Sequence, residues 1–357
     1  MSYINASLWN DIQVSDATNE KRFAELGIIN AVKESTPFVD FIPPSAKAAL
    51  ATASSLRGVS IPVIQDQTVS VVTTPGFNFI PANLETTDVY AFTAYDVFSG
   101  FRHYPSTYGN NMVDSDYART QKMKNIAYAM GNSIETILAA RLEERKTQVL
   151  DYDTQVSQGD GVFDFTGADV LEISKLAQKE TMFANLEALM AANDLGGNYR
   201  LVTSRAGLAV QRSEALKYAA GNSKNLQALG FWGADRLHES GNISAASDIF
   251  NGWLFRDGGI GVFENYPFDF RNGTTVAGKT WSISDMEIPF TRMRANIFTN
   301  AEATNADALI TSGSDSNTIM SAFEEMAVWC RFYVAYRYNS DLTTRANDVV
   351  KVRGLTT

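Results

Sequence analysis

Gly273, Gly278, Lys279 and Thr280 match the Walker A pattern Gly-x-x-x-x-Gly-Lys-Thr letter for letter. In that chemistry, backbone N–H groups and a helix N-terminus converge on phosphate, so the loop needs a buried strand before it and a helix after it. Here Asn272 and Gly273 form a hairpin turn signal, and residues 281–288, ahead of Pro289, alternate as a strand does. No apolar strand ending in Asp offers a magnesium-side carboxylate. The string is expected to be a hairpin. A P-loop nucleotide-binding enzyme using Lys279 and Thr280 stands as the reading from a different class.

The remaining reactive residues are sparse. His103 and His238 are the only histidines, too few for a histidine-based metal cluster. His238 lies between Arg236 and Ser240 beside Glu239, which supplies the residue types of a hydrolytic triad without a Gly-x-Ser-x-Gly elbow. Asp151, Asp153 and Asp160 suggest a calcium loop, but Gln155 and Val156 stand where the EF-hand pattern needs Asp or Asn and then Gly. Gly258, Gly259 and Gly261 lack the spacing of a dinucleotide fingerprint and are expected in a turn. Cys330, the single cysteine, excludes an internal disulfide and a multi-thiolate metal site, fits a reducing compartment, and reads as a small buried hydrophobe. No catalytic, cofactor-binding or metal-binding residue is assigned, no cofactor is expected, and a structural protein is expected rather than an enzyme.

Composition narrows the class further. The 357 residues, 45% of them hydrophobic, suffice for one large domain or two to three ordinary ones with a real core. A net charge of −10 disfavours direct DNA binding. Residues 1–5 carry no basic start of a signal peptide, so export by that route is not expected. The longest charge-free stretch of small residues, 48–56, is far shorter than a membrane span.

The element best placed to organise the chain runs over 112–150 and reads as one unbroken helix. Asp114, Ser115 and Asp116 supply N-terminal oxygens and negative charge, and Arg141, Arg145 and Lys146 place positive charge at the other end. Met123, Ile126, Met130, Ile134, Ile137, Leu138 and Leu142 recur at spacings of three and four, which makes one buried stripe. Gly131 within it costs about 1 kcal/mol relative to Ala.

The rest of the chain takes its place around that rod. Residues 1–45 read as a short helix and an extended arm; Phe23, Leu26, Ile29 and Val32 share a face that must lie on the chain's own core or on a neighbouring subunit, and Thr36 with Pro37 stops the helix. From about 46 to 104 the period changes to two, with a strand at 68–73 and a longer one at 87–101 that is apolar on both faces. Exposed apolar strands of this kind invite pairing, so either a local helix or another subunit covers them. After a turn or hairpin at 151–164, a second amphipathic helix is expected over 168–193, carrying Leu171, Leu176, Phe183, Leu186 and Met190 and closed by Gly196 and Gly197. A strand at 199–203 and a helix at 204–219 follow. Residues 220–315 read as a loop-rich mixed region with short strands at 253–256 and 261–266, and Phe231, Trp232 and Trp253 as core aromatics. In a final strand at 327–338, Val328, Cys330, Phe332, Val334, Tyr336 and Tyr338 share one face and Trp329, Arg331, Tyr333 and Arg337 the other.

This order of parts, with the ribbon 87–95 feeding the helix 116–150, then 184–190 leading into 199–203, and finally 329–338, resembles the major capsid protein of tailed bacteriophages, the Hong Kong 97 fold. The resemblance covers essentially the whole chain and rests on order rather than on a signature motif. It implies an α+β subunit with an N-terminal arm (1–49), an extended two-stranded loop (50–105), a peripheral domain with a long spine helix (106–195), an axial domain (196–315), and C-terminal strands returning to the peripheral domain (316–357). It further implies self-assembly into pentamers and hexamers of an icosahedral shell around double-stranded viral DNA that is enclosed without sequence-specific binding. The implied partners are further copies of the chain, a separate scaffolding protein, a portal and a decoration protein, with no membrane. The implied location is the virion, with synthesis in the bacterial host cytoplasm. The same fold builds encapsulin compartments, the alternative of the same architecture.

Overall fold

The computed structural model describes residues 26–52, 59–64, 87–104, 115–150, 163–166, 169–175, 182–193, 195, 197–210, 236–243, 248–265, 275–276, 279–289, 291–304, 321–337 and 346–356. The expected strand at 68–73, the aspartates at 151, 153 and 160, Phe23, Leu176, Phe231 and Trp232 lie outside them.

Helix α1 (Gly27–Ser35) runs directly into a 3-10 turn (Thr36–Phe38), with Pro37 in the turn where its missing N–H costs nothing. Leu26, Ile29 and Val32 are buried in the chain's own core, so this segment is covered from within rather than by a neighbour. Helix α2 (Pro44–Thr52) occupies a stretch expected to begin the period-two region. Proline at the first helical position and four alanines favour the helix, and Ala46 and Leu50 seat it in a small cluster with Val39, Ile42 and Phe92.

The ribbon is an antiparallel pair of β1 (Val59–Ile64) and β2 (Thr87–Phe92), with Pro62 opposite Val89. Strand β3 (Ala94–His103) continues the chain after Thr93 but joins another sheet, so the single long strand expected at 87–101 is two strands with different partners. Helix α3 (Ser115–Glu144) has 30 residues, about 45 Å of rise. It buries Met123, Ile126, Met130, Ile134, Leu138 and Leu142, with Ile137 at the margin. Gly131 leaves room for the N-terminal segment, since a Cβ there would stand 2.7 Å from Leu26 Cδ1. The helix ends six residues short of the expected Leu150. Residues 145–150 instead bond across to the C-terminus, Thr147 N–H donating to Val349 O at 2.7 Å and the Asn347 amide to Arg145 O at 2.6 Å.

Beyond α3 come β4 (Phe163–Thr166), β5 (Val170–Ile173), helix α4 (Met182–Ala192), β6 (Tyr199–Thr203), a helical stretch over 205–210, β7 (Leu237–Glu239), β8 (Phe250–Arg256) and β9 (Ile260–Asn265). Then follow β10 (Thr275–Val276), β11 (Lys279–Thr280), β12 (Ser282–Ile288), β13 (Met293–Thr304), β14 (Ser321–Tyr336) and β15 (Val349–Gly354). Residues 170–173 are thus a strand, not the start of the helix expected over 168–193. Asp169, at φ 57°, turns the chain between β4 and β5, and Leu171 is buried on a strand paired in parallel with β15. Leu186 and Met190 are buried on α4 as their spacing requires.

Two larger sheets carry the α+β fold. The six-stranded sheet has the order β4-β5-β15-β8-β6-β7 and packs on α4 through Leu186, Met190, Leu201, Leu254 and Val352. The five-stranded sheet is built on β14: β3 pairs along one edge, while β13 and β9 share the other in succession, opposite 321–329 and 331–336. β12 extends it beyond β13. Helix α3 covers one face of this sheet, where Val97, Ile297, Val328, Cys330 and Phe332 point inward. The sheets do not follow the domain limits of the sequence reading: β9, β12 and β13, from 196–315, pair in the sheet of β14 and β3, while β4, β5 and β15 pair in that of β6 to β8.

Candidate functional site

The Walker-like string folds as a hairpin. β10 pairs with β11 antiparallel, Thr275 opposite Thr280 and Val276 opposite Lys279, and the next element is the strand β12 rather than a helix. Lys279 and Thr280 therefore sit on a strand that leads into another strand, not into the helix whose N-terminus would gather phosphate. The nucleotide-binding reading loses its structural requirement.

The histidine candidates are likewise held apart. On β7 and the residue after it, side chains alternate in direction: His238 Nε2 lies 3.5 Å from Glu34 Oε2, Glu239 accepts from Arg205 at 2.8 Å, and Ser240 Oγ donates to Glu135 at 2.7 Å. A Ser-His-Glu relay needs these groups on one side. His103 is buried against Ser115 at the start of α3, 2.8 Å between Nε2 and Oγ; burial, followed by the nearby Lys122, lowers its pKa. Cys330 is buried in the core, and burial lifts its thiol far above the usual range, which makes it inert. Among the described residues no three His, Cys, Asp or Glu side chains are grouped to hold a metal, and no helix is long and apolar enough to cross a membrane.

The turn carrying Gly258 and Gly259 joins β8 to β9 and so passes the chain from one large sheet to the other. Gly258 has φ 83° and lies against Phe38, whose carbonyl oxygen would be 2.3 Å from a Cβ there. A polar cavity of about 230 Å³ opens beside it, lined by Asp40, Asn198, Arg256, Arg337 and Asp348 among others. Burial, opposed by Arg337 and Arg256, raises the pKa of Asp348.

The most distinctive surface lies on the face of the five-stranded sheet turned away from α3, in the part that α2 does not cover, since Tyr333 and Ala335 on that face are buried against Ala46 and Leu50. Phe98, paired in register with Trp329, is 66% exposed. Trp329 stacks with Phe298 at 6.3 Å between ring centroids, and Phe298 meets Trp281 edge-on at 6.4 Å. Asp96 fixes one end of this row. It accepts from Trp329 Nε1 at 2.8 Å and from Arg331 Nε and Nη2 at 2.6 and 2.8 Å, while the guanidinium also lies 4.9 Å from the Trp329 ring. Burial tends to raise the Asp96 pKa, and the Arg331 and Trp329 hydrogen bonds outweigh it, leaving the group below its ordinary value. An aromatic row of this kind offers a large contact area at small entropy cost.

The alternation of β14 placed Trp329 and Arg331 on the face opposite Val328 and Cys330, but Phe98, Phe298 and Trp281 were not linked to it. Phe98 lies about 180 to 230 residues from Trp281, Phe298 and Trp329 in the chain, and only strand pairing brings it to them. Glu135 was missed as well, although a carboxylate beside Ile134 and before Leu138 on an apolar stripe is a signal that can be read.

No family model matches the chain, and no curated protein does. Among solved structures, the chain is similar to one from Mycobacterium phage Che8, at 13% identity over 86% of this chain and 90% of that one, with a TM-score of 0.45. It is similar to one from Mycobacterium phage Cain at 12% identity over 100% of both chains, again at 0.45. The capsid structure of cyanophage P-SCSP1u matches at 12% identity over 86% of each chain, with a TM-score of 0.42. At such values the functional reading has to stand on this chain's own elements.

Proposed function

We propose that this protein is a shell subunit, a major capsid protein of the Hong Kong 97 kind whose copies associate into a closed icosahedral shell. The observation that carries the reading is a division of labour within one sheet: α3 covers one face along its length, and the other presents an aromatic row that the chain itself leaves partly open. The ribbon of β1 and β2 supports it, a two-stranded unit that no third strand joins among the described residues. In this reading the ribbon lies within the extended loop (50–105), and 1–49 is the arm, docked from Leu26 onward on its own subunit. The peripheral domain centres on α3 and the five-stranded sheet, and the axial domain on the six-stranded sheet, a division that follows strand pairing rather than the limits 106–195 and 196–315. Pentamers and hexamers around double-stranded DNA, with separate scaffolding, portal and decoration proteins, complete the assignment, and the acidic balance suits a wall that does not trap packaged DNA.

Light scattering on the purified protein with negative-stain microscopy of the same sample tests it. Megadalton shells or five- and sixfold rings are expected; a monodisperse monomer or dimer under all assembly conditions overturns the reading. Nucleic acid extracted from shells formed in infected cells separates a genome container from a cargo compartment.

A further inference from the structure

Helix α1 begins without a cap of its own: Leu26 stands at the N-cap position and no side chain of the segment bonds to the free N–H groups. Those groups are met from 106 and 107 residues away. Glu135, in the middle of α3, accepts from Ile28 N–H at 2.9 Å through Oε1 and from Ile29 N–H at 3.1 Å through Oε2. Its Oε1 also accepts from Ser240 Oγ at 2.7 Å, and Ser240 Oγ in turn accepts from Asn242 N–H at 3.3 Å. One carboxylate therefore ties together the N-terminal helix, α3 and the end of β7, at a point where it is 0% exposed.

Every group facing this carboxylate is a neutral donor among the described residues. The titratable groups on the elements packed against it are engaged elsewhere. On α1, Lys33 pairs with Glu264, and Glu34 with Arg200 and Arg292; on β7, His238 faces Glu34, and Glu239 pairs with Arg205. When ionised, Glu135 is a buried charge held by a helix N-terminus and one hydroxyl alone, and it gains hydration if α1 lifts away.

We propose that Glu135 is a proton-sensitive latch that docks the N-terminal helix on α3 most tightly when protonated and loosens it as the carboxyl ionises. Burial is the largest influence on this group and raises its pKa from 4.5 to about 7, against the opposing hydrogen bonds of Ser240, Ile28 and Ile29. The sign follows by linkage. A folded-state pKa above the open-state value means that the docked form retains the proton between the two. The opening equilibrium therefore rises roughly tenfold per pH unit across that window and levels off above the upper value, with docking strongest below the lower one.

Hydrogen-exchange mass spectrometry on the full chain at pH 5, 6, 7 and 8, corrected for intrinsic exchange, reads the latch directly. Protection of amides 27–35 is expected to fall roughly fortyfold between pH 5 and 7 and then to level off. Glu135→Gln should remove that dependence, while His238→Gln should retain it. A pH-independent wild type, or a dependence that His238→Gln abolishes, overturns the proposal. Where Glu135→Gln does not fold, Ser240→Ala decides: losing a donor that favours the ionised form should move the levelling point to higher pH, and an unmoved point overturns the latch. The readout concerns one subunit's own amides, so it stands or falls separately from shell formation.

Discussion

The two faces of the five-stranded sheet are made by the same strands, residue by alternate residue, yet they serve different ends. Inward, Val97, Ile297, Val328, Cys330 and Phe332 are buried beneath the stripe of α3. Outward, Phe98, Phe298 and Trp329 form a row with Asp96 and Arg331 at its edge, partly open to water. The inner face holds the subunit together by removing apolar area from water. The outer face is covered by α2 where Tyr333 and Ala335 lie, but around Phe98, Phe298 and Trp329 it stays partly open among the described residues, which suits that part to contact between copies.

That contrast can be broken by substitution. The largest effect belongs to the inner face: Phe332→Ala should cost about 3–5 kcal/mol, and Leu138→Ala on the opposing helix about 2–5 kcal/mol, in denaturant unfolding of the isolated subunit. A loss below about 1 kcal/mol at both sites would mean that this interface is not the core. Next comes the edge of the outer row. Asp96→Asn should cost about 1 kcal/mol, discounted because Asp96 is half exposed, although its partner Arg331 is almost wholly buried. Because the Asp96 pKa lies below its ordinary value of 3.8, the contribution is present above that value and is lost as pH falls through the lower folded-state pKa. The gap between wild type and Asp96→Asn should therefore close in strongly acid solution, and a gap that widens there would contradict the pairing.

The smallest effect on the subunit sharpens the comparison most. Phe98→Ser should change its stability by no more than about 0.5 kcal/mol, since the ring is largely exposed already. The same variant should raise the protein concentration needed for assembly by tenfold or more, measured by light scattering. A Phe98→Ser protein that assembles like wild type would remove the outer row from the set of contacts between copies, while leaving other surfaces to be tested.

Helices and strands with strong periodicity were legible from the residues alone. The stripe from Met123 to Leu142 defines α3, and the alternation from Val328 to Tyr336 defines the inner and outer faces of β14. The alternation after Thr280 marked the following segment as a strand, not the helix a nucleotide loop needs; the hairpin of the string itself turns between Val276 and Lys279, and the turn signal at Asn272 and Gly273 lies outside the described residues. Short elements were harder. Val170 to Ile173 carries apolar residues that suit a helix face or a buried strand, and pairing with β15 decides for the strand. The alanines of α2 were absorbed into a neighbouring period-two pattern, although proline at the first helical position was a signal available in the sequence.

The residue sequence determined which segments are helix or strand wherever a period persists over several turns or strand positions, because that period reports the direction of one buried face. Tertiary structure alone decided which strands meet: β14 takes β3 on one edge and both β13 and β9 on the other, from segments far apart in the chain. It also decided that α3 stops at Glu144, where Thr147 bonds to Val349 instead of continuing the helix, and that the uncapped start of α1 finds its acceptor at Glu135. Backbone donors and apolar faces must be satisfied somewhere, and local sequence states the need without naming the distant partner that meets it.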